Sequence, residues 1–596
     1  MAIPPGPRYI FTLIPFLLGP PAVVYGGFKF SNAFFGLTVS SWFTTIAVVL
    51  ARPVLSIFER YFTRYMDRTS AAASNAFIVP HVEEKRPGFA GLSIMAALVK
   101  DLKNGYPGDM FLPWMEKYGN VFQLRLISDN RVITFEPDHI KSILATQFDA
   151  FDKGPFLYKQ LHSLLGTGVF NSDGDMWKFH RSMTRPFFSR ERISHFDIFE
   201  AHADNALKQA ANRLAEGYPI DFQDLVSRFT LDSATEFLFG NDVQSLSAGI
   251  PYPPAWAHLN TETFKNHPSN EFVEAFLRSQ IQAALRTRVG RTWPMTEFWG
   301  DKIKADRDIL DRFSQPILVE ALRKKDLENT GAGTDRDYGD SLLSHLVHHT
   351  QDINVLKDEL VNLLVAGRDT TGCTLTFAFY MLAEHPEVAR RLRQEVFEQV
   401  GPTNRPTYDN LRDMRYLRAF VNEVLRLYPP VPFDSRTTTK PAVLTSKAPG
   451  SKPYYIPKDT RVLYGVFNMH RRTDLWGPDA LEFDPDRFLD ERLHKYLTPN
   501  PYIFLPFNAG PRICLGQQFA YHEASFFLVR LLQQFTNFRL APDVQPPESK
   551  PPGSWAATDR PKAKEKIIPG THLTMYVKGG LWVRMDPLKP EGPEMA

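Results

Sequence analysis

Cysteine is nearly missing from this chain: Cys373 and Cys514 are the only two in 596 residues. Two cysteines make no disulfide framework, and the expected setting for the globular part is a reducing compartment. No sign of charge predominates. Lys and Arg number 69 against 66 Asp and Glu, and a net charge of +3 offers nothing to nucleic acid. There is no internal repeat and no glycine-rich flavin or dinucleotide fingerprint. Charge is missing locally too: Ile10 to Phe28 and Phe30 to Ala51 carry none, with Lys29 between them.

Spanning a bilayer takes about 20 apolar residues, so residues 1–60 read as a membrane anchor of one or two spans, 10–28 and 30–51. The second is the stronger, and Arg52, Arg60, Arg64 and Arg68 favour a cytosolic side for the globular part. The first carries Pro15, Gly19, Pro20, Pro21, Gly26 and Gly27, the composition of a broken or re-entrant segment. No small-x-small site precedes Lys29, which argues against a cleaved signal peptide. Residues 61–91 read as a linker, with small residues from Ser70 to Ser74, then Pro80 and Pro87.

Residues 92–596 read as one catalytic domain, mainly α with a smaller β region. Helical patterns dominate from Leu92 to Leu427, and 43% hydrophobic residues, including 47 Phe, supply a large core. The stretch Pro251 to Trp299 is expected to roof a cavity and partly touch membrane. Tyr454 to Leu463 reads as two strands around a turn. Thr571–Val577 and Leu581–Met585 read as a terminal hairpin about Lys578-Gly579-Gly580. Pro542 to Pro561 holds six prolines and reads as an inserted loop.

The chemistry is concentrated at Phe507-Asn508-Ala509-Gly510-Pro511-Arg512-Ile513-Cys514-Leu515-Gly516. A thiolate is the metal-ligating form of cysteine, and a nearby arginine or helix N-terminus lowers the thiol pKa towards it. Glycines here permit a tight turn and the close approach of a flat ligand. The string F-x-x-G-x-R-x-C-x-G resembles the heme-binding loop of the cytochrome P450 family, where the cysteine is the axial iron ligand.

Further segments carry the same resemblance. Glu423 and Arg426, with Arg487 of Phe483-Asp484-Pro485-Asp486-Arg487-Phe488, match a triad that supports the heme pocket. Ala366-Gly367-Arg368-Asp369-Thr370-Thr371, inside a long run from Val355 to Leu382, matches the motif on the family's central helix. The resemblance implies that Thr370 and Asp369 deliver protons during dioxygen activation. Trp177-Lys178-Phe179-His180-Arg181 matches a W-x-x-x-R helix. Trp177, Arg181, Arg436 and Arg512 would then hold the two heme propionates, with Phe507, Gly510 and Gly516 shaping the loop around Cys514. His180 and His522 are read as ordinary helix residues, and Cys373 as a small buried hydrophobe.

The implied fold is that of cytochrome P450 behind a membrane anchor, and the implied cofactor is heme b with Cys514 as its thiolate. Electrons would come from NADPH through a separate membrane-bound reductase. Lys178, Arg185, Arg190 and Arg192 are candidates for its docking patch. Eukaryotic members suggest the endoplasmic reticulum membrane, with the catalytic domain facing the cytosol.

Residues 468–488, the pair Tyr428-Pro429 and the segment 366–371 resemble the fungal alkane and fatty-acid hydroxylase branch. The expected partner is thus a small hydrophobic substrate. Phe156, Leu157, Leu364, Val431 and Phe433 would line its pocket together with the Gly579-Gly580 tip. Lys159 or His162 would meet a carboxylate at the mouth. Polycyclic aromatic or terpenoid substrates stay open as an alternative. An isomerase, a dehydratase or a non-catalytic heme or lipid carrier would keep the cysteine loop without needing the acid–alcohol pair.

Overall fold

The structure is a computed structural model that describes residues 3–84, 91–126, 129–194, 196–329 and 341–588. Pro87 of the expected linker and residues 589–596 of the expected domain lie outside them. Two long helices come first, α1 (Pro5–Phe35) and α2 (Ser41–Ala73). They run back along each other: Phe28 meets Phe43 edge-on, and the Arg52 guanidinium lies 3.4 Å over the Phe16 ring. Both are long and apolar enough to cross a membrane, and their apolar windows are wholly unburied.

Two anchor boundaries differ from expectation. Lys29 lies inside α1, and the chain turns at Gly36, whose φ of 63° suits glycine. The uncharged stretch 30–51 is therefore shared between both helices. Pro15, Pro20 and Pro21 sit within α1 without ending it, which an apolar solvent encourages because only a helix satisfies the backbone there. The helix α2 runs on to Ala73, so the first part of the expected linker is helical; its closing alanines are strong helix formers.

The helices that position the site are α3 (Pro155–Leu165), α4 (Gly174–Thr184), α5 (Phe222–Phe239), α6 (Pro268–Val289), α7 (Ile353–Leu364), α8 (Thr370–Glu384), α9 (Arg415–Leu427) and α10 (Gln517–Gln534). Helices α5, α8 and α10 are apolar on most faces and buried accordingly. Between α7 and α8 the backbone widens into a π-turn over Val365–Asp369, so the two read as one long helix with a loosened middle.

A five-stranded sheet, in the order β2-β3-β9-β6-β4, flanks these helices. Its strands are β2 (Val121–Leu126), β3 (Asp129–Thr134), β4 (Phe151–Asp152), β6 (Phe433–Thr438) and β9 (Arg461–Gly465). The strand β8 (Tyr454–Ile456) precedes β9 across a turn, but it pairs with β1 (Phe77–Ile78) and β7 (Ala442–Leu444) in another sheet.

The terminal hairpin is also drawn differently. The strand β12 (Met575–Val577) pairs with β11 (Pro569–Thr571), while β13 (Trp582–Pro587) lies between β5 (Ile220–Asp221) and β10 (Phe535–Leu540). Gly579 and Gly580 turn the chain between two sheets, and Cβ atoms there would strike Ser549 and Asp221.

Candidate active site

The loosened middle of the central helix is where the site opens. From Glu359 to Leu382 every residue is buried except Ala366, Gly367, Asp369 and Thr370, which are half-buried. A π-turn strands backbone carbonyls that an α-helix would satisfy, and hydroxyls take them up. Thr370 donates to Ala366 O at 2.6 Å, and Thr230 of α5 donates to Arg368 O at 3.0 Å. Gly367 lets α5 approach, since a Cβ there would lie 2.8 Å from that of Ala234. Asp369 is held by Arg368 at 2.6 Å and by Gln280 of α6 at 2.7 Å. Burial raises the Asp369 pKa, and these two donors work against it. The 251–299 stretch thus reaches over the acid as a roof. Its Phe298 carbonyl accepts from Gly6 N–H at the start of α1 at 3.0 Å.

Cys514 is exposed on a loop that enters α10 three residues later. Its N–H donates to Phe507 O at 3.0 Å, closing the loop. Protein crowding raises the thiol pKa, while the Gly516 N–H and the Arg181 guanidinium lower it. Gly510 has φ 69°, and a Cβ on it would come within 1.9 Å of Leu144 O, so both conformation and space demand glycine. Gly516 has an ordinary φ, and its nearest Cβ contact would be the Phe188 ring at 3.4 Å. Phe507 packs against Tyr521 with ring centres 5.1 Å apart.

Around this loop the expected cations converge. Arg181 donates to Ile513 O at 2.8 Å. The Arg512 guanidinium stacks 4.4 Å over the Trp177 ring, pairs with Asp173 at 2.7 Å, and keeps a buried Nε without a partner. Arg436 is buried against Asp434 at 2.8 Å. Burial works to raise Asp434, and Arg436 and Lys153 overcome it. Lys153 is a member that no sequence motif marks. Its Nζ lies 3.2 Å from Asp434, and burial with the nearby Arg436 brings it down to about 8. A cysteine loop with converging cations and an orphaned donor suits a flat, dianionic metal macrocycle. The donor set fits a heme with two propionates.

The supporting triad is assembled. Arg426 forks Glu423 at 2.7 Å through both Nε and Nη2, and Arg487 Nε lies 3.5 Å from the same carboxylate. His180 lies between Glu359 at 3.0 Å and Thr167 O at 2.9 Å, and His522 meets Ile193 O. Cys373 is buried in α8. Lys159 and His162 are exposed on α3, at the protein surface. Lys178 is exposed beside Asp175, Arg185 is exposed, and Arg190 and Arg192 lie over the Tyr408 and Phe187 rings.

This arrangement defines a heme-thiolate oxygenase site. The family model described as Cytochrome P450 matches residues 87–564. Among similar proteins, Cytochrome P450 52A3-A of Candida maltosa is 36% identical over 478 residues, covering 77% of this chain and 86% of the relative. Cytochrome P450 52A5 of Candida maltosa is 34% identical over 526 residues, with 86% and 94% covered. Cytochrome P450 52A6 of Candida tropicalis is 36% identical over 517 residues, with 84% and 90% covered. The chain belongs to the cytochrome P450 family, and it is a heme-dependent monooxygenase preceded by two helices long and apolar enough to cross a membrane.

Proposed function

We propose that this enzyme hydroxylates an alkane or fatty-acid chain. Cys514 would ligate the heme iron through its thiolate, and Trp177, Arg181, Arg436 and Arg512, joined by Lys153, would hold the propionates. The bound heme supplies dioxygen activation and transfer of one oxygen atom to a C–H bond. The chain's own residues orient substrate and move protons. Asp369, tethered by Arg368 and Gln280, is the proton carrier, and the Thr370 hydroxyl sits one residue on. The observation that carries this reading is the π-turn, which places an acid and an alcohol at a half-buried break in an otherwise buried helix. An isomerase or a carrier would have no use for that pair.

Electrons come from NADPH through a membrane-bound reductase that docks near Lys178, Arg185, Arg190 and Arg192. The location is the endoplasmic reticulum membrane with the catalytic domain in the cytosol, supported by the basic residues Arg60, Arg64 and Arg68 on α2. The chain preference rests on apolar side chains such as Leu157, Leu364 and Phe433, and on the resemblance of residues 468–488 to the alkane and fatty-acid hydroxylase branch.

A spectral titration tests the reading. Displacing water from the ferric iron shifts its spin state, so fatty acids and alkanes of graded length should shift it in a length-dependent way. A shift with polycyclic aromatics alone would overturn the chain reading. Charge reversal at Lys178 and Arg185 should slow reduction in a salt-dependent manner, and unchanged reduction would remove that patch.

A further inference from the structure

Three arginines meet on one face of the five-stranded sheet with too few acids to match them. Arg131 and Arg461 are direct register partners across β3 and β9, and their side chains fall on the same face. They are 6% and 9% exposed, so their charges are held out of water. Arg288, half-buried near the end of α6, lies within electrostatic reach of both.

Their hydrogen bonds leave most of the donors idle. Arg131 Nε takes Asp129 at 2.8 Å, while its Nη2 is buried with no partner among the described residues. Arg461 reaches Ser435 Oγ at 3.1 Å and, more weakly, Gln160 Oε1 at 3.5 Å. Arg288 reaches Thr287 Oγ1 at 3.2 Å. Asp129 is the one acid hydrogen-bonded to the group among the described residues. Asp101 is pushed up to about 7 by burial, against the pull of Arg288, so it is only partly ionised at neutral pH.

Buried cations without counter-charge are costly, and the cost shows. Burial, then Arg131 and Arg288, bring Arg461 down to about 9 against the pull of Asp129 and Asp434, and burial brings Arg288 down to about 10. An anion would relieve both. Gly290, at φ 80°, lets the backbone pack directly on this group, since a Cβ there would lie 2.7 Å from Arg131 Nη2.

This group makes no ion pair with the propionate set among the described residues, although Asp434 lies within electrostatic reach of Arg461. Successive strand residues point to opposite faces, so Asp434 and Arg436 on β6 face away from Ser435, which binds Arg461. It nevertheless connects with the reaction site. His572, in the turn between β11 and β12, lies within electrostatic reach of both Arg288 and Arg368, the neighbour of Asp369.

We infer that Arg131, Arg288 and Arg461 form an anion subsite that takes the carboxylate of the substrate chain, so oxidation falls on carbons remote from the carboxyl end. The inference rests on the chain-hydroxylase reading and narrows it from alkanes to fatty acids. It also moves the carboxylate contact from Lys159 and His162 to buried arginines.

The test is calorimetric binding of dodecanoate and of its methyl ester to the full-length, heme-loaded enzyme. Charge-assisted hydrogen bonds make a preference for the acid of about tenfold or more the expected result. Arg288→Met should remove that preference by weakening the acid about tenfold and the ester less than about twofold, with Arg288→Lys restoring part of it. Arg461→Met, measured in parallel, should do the same, and the acid-to-ester ratio within each variant cancels any general loss of folded protein. Equal binding of acid and ester by the wild type, or equal weakening of both by the variants, overturns the subsite while leaving the chain reading intact. Binding of neither compound overturns the chain reading, and the subsite with it.

Discussion

Gln280 of the roof helix donates its amide to Asp369 at 2.7 Å, so a residue from α6 fixes the acid at the centre of the opened helix. The amide favours the carboxylate and opposes the burial that raises its pKa. Gln280→Leu should therefore push Asp369 further up and move the acidic limb of the pH–rate profile to higher pH. Asp369→Asn, which cannot carry a proton, should lower turnover by about 10²–10⁴ and enlarge the solvent isotope effect. An unmoved profile in Gln280→Leu would show that the tether has no catalytic consequence.

Thr370 is expected to act separately from the acid. Its hydroxyl spans the π-turn to Ala366 O at 2.6 Å from a half-buried position. Thr370→Ala should divert reducing equivalents to hydrogen peroxide, seen as more NADPH consumed per product formed. Thr370→Ser keeps the hydroxyl and should stay close to the wild-type ratio. Tight coupling in the alanine variant would take Thr370 out of proton delivery.

Glu423 and Arg426 have no access to water, and Arg426 also donates to the carbonyls of His470 and Ala480. Removing Glu423 leaves the buried Arg426 charge and the Asp484 N–H without their carboxylate. Glu423→Ala should cost about 3–5 kcal/mol, read as a lower denaturant midpoint and poor heme retention. A loss under about 1 kcal/mol, the range of a surface pair, would mean the triad is not a structural anchor.

The motif residues were legible in the sequence because their roles are local. A cysteine before a helix, an acid–alcohol pair in an apolar run and a Glu–Arg pair at helical spacing each declare themselves within a few positions. Lys153 did not, because it acts through Asp434, which β4 and β6 bring together from distant parts of the chain. Arg131 and Arg461 were hidden for the same reason, since strand register alone makes them neighbours. The terminal hairpin misled because its glycine turn is real while the strands on either side find other partners. The proline-rich 542–561 stretch showed no purpose by composition. It leads to Glu565, whose buried carboxylate accepts from the hydroxyls of Tyr106, Tyr380 and Tyr428, three residues no local pattern links.

A final prediction concerns pH. His180 of α4 lies between the Glu359 carboxylate of α7 and the Thr167 carbonyl, both acceptors, in a fully buried position. Burial alone would lower its pKa, but Glu359 and the Thr167 carbonyl overcome that and raise it above the ordinary value near 6.5. A group with a raised folded-state pKa stabilises the fold fully below its unfolded pKa, and that contribution is lost as pH rises through the folded value. The wild type should therefore lose thermal stability relative to His180→Gln as pH rises above about 6.5. Since α4 also carries Trp177 and Arg181, heme should dissociate faster over the same interval in the wild type alone. Parallel melting curves for the two proteins across neutral and alkaline pH would rule this link out.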